Sequence, residues 1–237
     1  MLKYTKRMEP QNDDIERVFN MNQYKMILFD LDGTLSDPKE GIAKSVQYAL
    51  RRLGIDESDL DKLECFIGPP LQASFSEYYG FDEETTHRAI ELYRERFIEK
   101  GMFENVLYPH ISELLNSLKE QGATLVVATS KPTPFAEQIV KYFHIDHYFD
   151  LVVGSNLDGT RSAKTDIIQY ILNTYNQHKH ADYIMIGDRK HDIIGANNCG
   201  IDSVGVTYGY GLYEELNCSN PTFIVGNVEQ LRAILMG

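Results

Sequence analysis

Positive charge is in short supply in this chain: 23 Lys and Arg stand against 35 Asp and Glu in 237 residues, a formal net charge of −12. A nucleic-acid polymer is bound by clustered Lys and Arg, so this balance argues against such a partner, and any phosphate the protein handles has to be met by a local cation or a metal. No apolar run approaches the roughly 20 residues of a membrane helix, and the N-terminal residues carry charge without the apolar centre of a signal peptide. The expectation is a cytoplasmic protein with no membrane partner, working as a monomer or weak homodimer. Cysteine is sparse as well. Cys65, Cys199 and Cys218 are odd in number and lack CxxC spacing, so neither a disulfide framework nor a structural zinc site is indicated. What the chain does have is 43% apolar residues, enough to fill the core of one α/β domain with a small insertion.

The apolar residues are concentrated most tellingly in Met26-Ile27-Leu28-Phe29, a run that ends in Asp30-Leu31-Asp32-Gly33-Thr34. A continuous apolar run reads as a central parallel strand covered on both faces, and Gly33 lets the chain turn once two carboxylates have been presented. Asp30 and Asp32 then stand at a carboxyl end of the sheet, where open α/β folds keep their ligands. An Asp carboxylate is a usable nucleophile toward an activated electrophile, of which a metal-held phosphoryl group is the usual case. Asp30 is the candidate nucleophile and Asp32 the candidate acid and base. Taken alone, the same letters also fit an Asp-Gly turn after a strand.

The rest of the chain organises around that strand. Residues 1–24 are polar and mixed in charge and are expected to be an N-terminal extension. Asp37-Pro38 reads as N-cap and first helical position of a helix with Ile42, Val46, Leu50 and Leu53 on one face, closed by Gly54. Helical stretches are expected over 57–64, 70–79 and 82–100, with no strand between them. Residues 38–105 therefore read as a helical cap subdomain inserted into a core made of 25–37 and 106–237. From Pro109 the pattern alternates: helix 109–121, strand 124–128, helix 132–143, strand 151–153, helix 165–176, strand 183–186, helix 191–198, strands 203–206 and 223–225, and a closing helix. Repeated βα units predict an α/β fold, a Rossmann-like doubly wound parallel sheet.

Three further features fall at predicted strand ends. Thr129-Ser130 places hydroxyls and backbone amides at an expected helix start, which suits phosphate binding or simple N-capping. Gly187-Asp188 and Asp192 put two carboxylates at another helix start, readable as ligands or as capping. Lys164 opens helix 165–176, where its charge opposes the helix dipole and a bound phosphate would reverse the penalty. In this order, Asp30-Leu31-Asp32-Gly33-Thr34, Thr129, Lys164 and Gly187-Asp188-x-x-x-Asp192 resemble the haloacid dehalogenase superfamily of phosphatases over residues 25–236. The helical insertion looks like the mobile cap of the phosphoglycolate-phosphatase-like branch, and Phe66-Ile67-Gly68-Pro69-Pro70-Leu71 is similar to that branch's cap loop. Gly154-Ser155-Asn156-Leu157-Asp158-Gly159-Thr160-Arg161 looks like a subgroup described as 5′-nucleotidase-like.

The resemblance implies an Mg²⁺-dependent phosphomonoesterase acting on a small-molecule phosphate ester. Asp30 would form the aspartyl-phosphate, Asp32 would serve as acid and then base, and Thr129 with Lys164 would hold the phosphoryl oxygens. Asp30, the Asp32 backbone carbonyl and Asp188 would bind the metal, with Asp192 orienting that shell. Substrate contacts are expected from Gly33, Ser130, Gly68 and Arg161. Ser130 stands where many phosphoglycolate phosphatases have Asn, and its backbone amide can still bind phosphate. Leu157-Asp158-Gly159-Thr160 repeats the letters of the first motif, but Asn156 occupies the nucleophile position and an amide cannot form an acyl phosphate. A sugar-phosphate mutase would use the same Asp pair, so phosphoryl transfer to a sugar is the alternative. A non-enzymatic binding module is disfavoured because every catalytic position holds a competent residue.

Overall fold

The computed structural model describes residues 24–237. The expected N-terminal extension lies outside them except for Tyr24, whose hydroxyl donates to Asp202 Oδ2 at 2.9 Å. Strand β1 (Met26–Phe29) sits between β4 (Thr124–Pro132) and β6 (Tyr183–Gly187) in a six-stranded sheet. The sheet is completed by β5 (Leu151–Ser155), β7 (Asp202–Val206) and β8 (Phe223–Val225) in the order β5-β4-β1-β6-β7-β8. Every neighbouring pair in it is parallel.

The period of two along these strands sorts the core into two layers. Ile27, Phe29, Leu125, Val127, Ile184 and Ile186 join one apolar cluster, while Met26, Leu28, Val126, Met185 and Tyr183 join another on the opposite face. Helices α4 (Ile111–Glu120), α5 (Thr133–Tyr142) and α9 (Val228–Met236) cover the first face. The second is covered by α6 (Lys164–Thr174) and α7 (Lys190–Asn198). Both faces being dry explains why β1 has no polar alternation.

Between β1 and β4 the chain leaves the sheet and returns through a short antiparallel ribbon, β2 (Ser36–Asp37) against β3 (Val106–Leu107). Such two-residue strands carry no periodicity, which is why the sequence does not announce them. Beyond the ribbon lie α1 (Lys39–Arg52), α2 (Leu71–Tyr79) and α3 (Glu83–Glu99). Their apolar faces meet in an aromatic cluster, with Phe66 and Phe75 edge to face at 4.9 Å and Tyr93 and Phe97 stacked at 5.2 Å. Asp82 caps α3 by accepting from the Thr85 amide at 2.9 Å.

Two local expectations change. Asp37 is a ribbon residue and Pro38 takes the cap position, although the Asp37 carboxylate still accepts the Lys39 amide at 3.0 Å. The helix expected over 57–64 is instead a 3₁₀ helix over Asp61–Phe66. The Asp59 amide is taken by the Glu57 carboxylate at 3.0 Å and the Asp61 amide by that of Asp59 at 3.1 Å. Such local side-chain bonds compete with helical ones. A short helix, α8 (Tyr213–Cys218), follows β7 without a counterpart in the sequence reading. Among the described residues no helix is long and apolar enough to cross a membrane.

Candidate active site

The carboxyl ends of β1, β4 and β6 converge, and the acids foreseen from sequence come with them. Asp30 follows β1 directly, its amide held by Ile186 O of β6 at 2.9 Å. Asp188 follows β6 and is fully buried, and Asp192 lies in the first turn of α7. One carboxylate oxygen from each of Asp30, Asp188 and Asp192 lies within 4.8 Å of the other two. Gly33 makes room for this cluster. Its φ of +84° suits a residue without a side chain, and a Cβ there would collide with the Asp188 carboxylate.

Lys164 supplies the positive charge. Its ammonium lies 3.0 Å from Asp30 Oδ1 and 2.7 Å from Asp192 Oδ1, and donates to Ala128 O at 2.7 Å. The contacts to Asp30 and Asp192 are ion pairs, and Asp30 Oδ1 and Asp192 Oδ1, both buried, accept no hydrogen bond of good geometry. Burial alone would lower its pKa, but the Asp192 and Asp30 charges outweigh that and push it up to about 12. One lysine does not balance three acids. Burial first, then the charges of Asp192 and Asp30, hold the Asp188 carboxyl well above the ordinary range. Burial likewise raises Asp192, to about 6, against the pull of Lys164. A crowded, buried, all-oxygen donor set with unbalanced negative charge fits a hard divalent cation such as Mg²⁺.

Asp32 stands slightly apart. Its carboxylate pairs with Lys131 Nζ at 2.8 Å, and its Oδ1 accepts no hydrogen bond. Burial raises its pKa and Lys131 works against that rise. Asp32 and Lys131 form part of the wall of a cavity of about 520 Å³ between the sheet and the α1–α3 layer. The α1–α3 layer contributes both apolar residues, Phe66, Leu71, Ile90, Tyr93 and Phe97, and polar ones, Gln72, His87, Glu91 and Arg94.

The other site candidates divide. Ser130 and Gly68 line the cavity. Thr129 is buried, and its hydroxyl accepts the Lys131 amide at 3.3 Å. The expected helix start beside it is absent, because β4 runs on to Pro132 with an irregular register after Ala128, so Thr129 and Ser130 offer strand rather than helix amides. Arg161 does not reach the cavity as expected. Its guanidinium lies over the Tyr170 ring at 4.6 Å and Nε donates to Gly154 O at 3.1 Å. The second Leu-Asp-Gly-Thr segment is a tight loop, with the Thr160 amide held by Asp158 Oδ1 at 2.9 Å, and it borders the cavity.

Sequence reasoning missed three contributors. Lys131 carried a signal, being a cation directly after the strand-end hydroxyls of an acidic chain. Tyr210 carried none, since its role is a backbone one: its amide donates to Asp188 Oδ2 at 2.8 Å. Arg189, hidden between two acids, reaches out of the cluster to Glu215 at 3.0 Å and to Ile67 O at 2.7 Å.

Residues 27–206 match the family model of haloacid dehalogenase-like hydrolases. A Pseudomonas aeruginosa protein named 5′-nucleotidase is 49% identical over 214 residues, covering 90% of this chain and 96% of its own. A phosphoglycolate phosphatase of Vibrio parahaemolyticus is 29% identical, covering 89% and 96%. Among solved structures, that of a predicted phosphatase from Clostridium acetobutylicum superposes with a TM-score of 0.86 at 53% identity, covering 88% of this chain and 96% of that one.

Proposed function

The chain belongs to the haloacid dehalogenase-like hydrolase family and is a phosphatase of that family, and from that premise we propose that it hydrolyses nucleoside 5′-monophosphates through a phosphoryl group carried on Asp30. The observation that carries the chemistry is the gathering of Asp30, Asp188 and Asp192, with Lys164 paired to Asp30 and Asp192. Asp30, at the end of β1, attacks phosphorus. Asp32, a residue of the cavity wall with one buried carboxylate oxygen that accepts no hydrogen bond, protonates the leaving oxygen and then takes a proton from water. Thr129 and Lys164 hold the transferring group.

Asp30, Asp188 and the Asp32 carbonyl would hold Mg²⁺, with Asp192 orienting that shell. Bound there, the ion would neutralise charge on the phosphoryl oxygens and so favour attack by a carboxylate. Excess chelator should therefore abolish turnover and added Mg²⁺ restore it. Ca²⁺ should inhibit, because it accepts more ligands in looser geometry. Full activity in chelator would sink the metal assignment.

The choice of substrate rests on the cavity. A two-carbon acid fills little of about 520 Å³. The name of the Pseudomonas aeruginosa relative supports the same choice. Side-by-side kcat/KM values for nucleoside 5′-monophosphates and phosphoglycolate test it, and a preference for phosphoglycolate would overturn it. Gly68 supplies a second test, since it lines the same cavity with φ at +101°. Gly68→Leu should reorder kcat/KM among natural substrates and reduce hydrolysis of p-nitrophenyl phosphate less. An unaltered ranking would mean that the loop merely joins two helical segments.

A further inference from the structure

Three polar contacts tie the α1–α3 layer to the sheet layer around the cavity. Arg94 Nη2 donates to Leu157 O at 2.9 Å, Lys131 Nζ lies 4.6 Å from the Phe97 ring centroid, and Arg189 Nη1 donates to Ile67 O at 2.7 Å. Only the last springs from the turn that carries Asp188 and Asp192.

Arg189 is anchored at both ends. Its backbone amide donates to Asp192 Oδ2 at 3.1 Å, so its main chain belongs to the acid cluster. Its side chain points the other way, with Nε on Glu215 Oε1 at 3.0 Å. The same Glu215 oxygen takes the Lys190 amide at 2.9 Å, which clamps the turn to α8. The loop it reaches is moulded onto it. Ile67 is fully buried, and a Cβ on Gly68 would lie 2.9 Å from Arg189 Cγ. A guanidinium makes both contacts because its donors form a rigid fork, which a lysine lacks.

We propose that Arg189 is a positioning residue that couples the cavity loop at Ile67-Gly68 to the acid cluster, so that a divalent cation bound there seats the loop and the seated loop tightens the cation. The inference rests on the metal reading above. By linkage the two effects are equal in size: whatever the cation does to the loop equilibrium, the loop does to cation affinity. The substrate-facing loop is thus ordered most firmly when the cluster is filled, and leaving-group recognition waits on metal.

The test combines calorimetric titration with MgCl₂ and amide hydrogen exchange of the segment 61–79, in the absence of substrate. In the wild type, Mg²⁺ should slow exchange at the Ile67 and Gly68 amides. In Arg189→Met the slowing should vanish while Mg²⁺ still binds, about fivefold or more weakly, and Arg189→Lys should fall between. Gly68→Ala disturbs the loop end of the contact, away from the acids, by crowding Arg189 Cγ and by straining a backbone at φ +101°, and should also weaken Mg²⁺; it carries the test if Arg189→Met does not fold. Mg²⁺ binding with unchanged exchange at 67–68, or slowing that survives in Arg189→Met, would overturn the coupling alone. An absence of Mg²⁺ binding to the wild type would overturn the metal reading and the coupling with it.

Discussion

Asp30→Asn should lower turnover by roughly 10⁴-fold or more while leaving the protein folded. The amide fills the volume of the carboxylate, and the Asp30 backbone stays fixed by Ile186 O whatever the side chain. An amide nitrogen or oxygen does not form a stable acyl phosphate, so the proposed covalent step has no substitute. The fold has little to lose. Lys164 keeps Asp192 at 2.7 Å and Ala128 O at 2.7 Å, and one negative charge leaves a buried group of three. Without metal, the variant should melt no lower than the wild type, and its Mg²⁺ affinity should fall because a proposed ligand has lost its charge. Single-turnover hydrolysis of a nucleoside 5′-monophosphate, read together with the melting temperature, separates lost chemistry from lost structure. Near-wild-type turnover would show that phosphorus is attacked by some other group.

The sequence exposed the acids because each lies at the end of an apolar run, and an apolar run has a direction. Met26–Phe29 and Tyr183–Gly187 aim their last residues at one edge of the sheet, so Asp30 and Asp188 had to meet there. Lys164 was legible for a different reason, as a charge on the wrong end of a helix. What the sequence hid depends on tertiary distance. Nothing in Asp37 hints that the Tyr210 hydroxyl donates to it across the fold, and nothing in Tyr210 hints that its amide supports Asp188. Arg161 misled for the converse reason. It is a cation in a motif beside the cleft, and an aromatic ring at Tyr170 with the Gly154 carbonyl gave it somewhere else to go. Helix ends were legible where one residue decides them, as at Asp82, and were lost where acidic side chains bonded their own backbone over 57–61.

Lys164→Met should be the most destabilising single change at the site, even though the ion pairs it removes are not what drives folding. A buried pair returns little more than the cost of taking its charges out of water, but breaking one leaves an uncompensated charge and costs about 3–5 kcal/mol. Here two carboxylates lose their partner at once, since Lys164 meets both Asp30 and Asp192 and all three are buried. Ala128 O also loses its donor. For a chain of this size that loss lowers the melting temperature by roughly 6–20 °C. The methionine packs in the same space, so a missing charge rather than a cavity is what is measured. If charge is the cause, Mg²⁺ should return a larger share of stability to the variant than it adds to the wild type, because a cation in the acid cluster replaces part of what the lysine supplied. Catalysis should not return with it, since the ammonium proposed to hold the phosphoryl oxygens is gone. Denaturant unfolding with and without Mg²⁺ reads both effects. A loss under about 1 kcal/mol, the scale of an exposed pair, would mean that the acids shed their charge by taking up protons and that Lys164 is not their counter-ion.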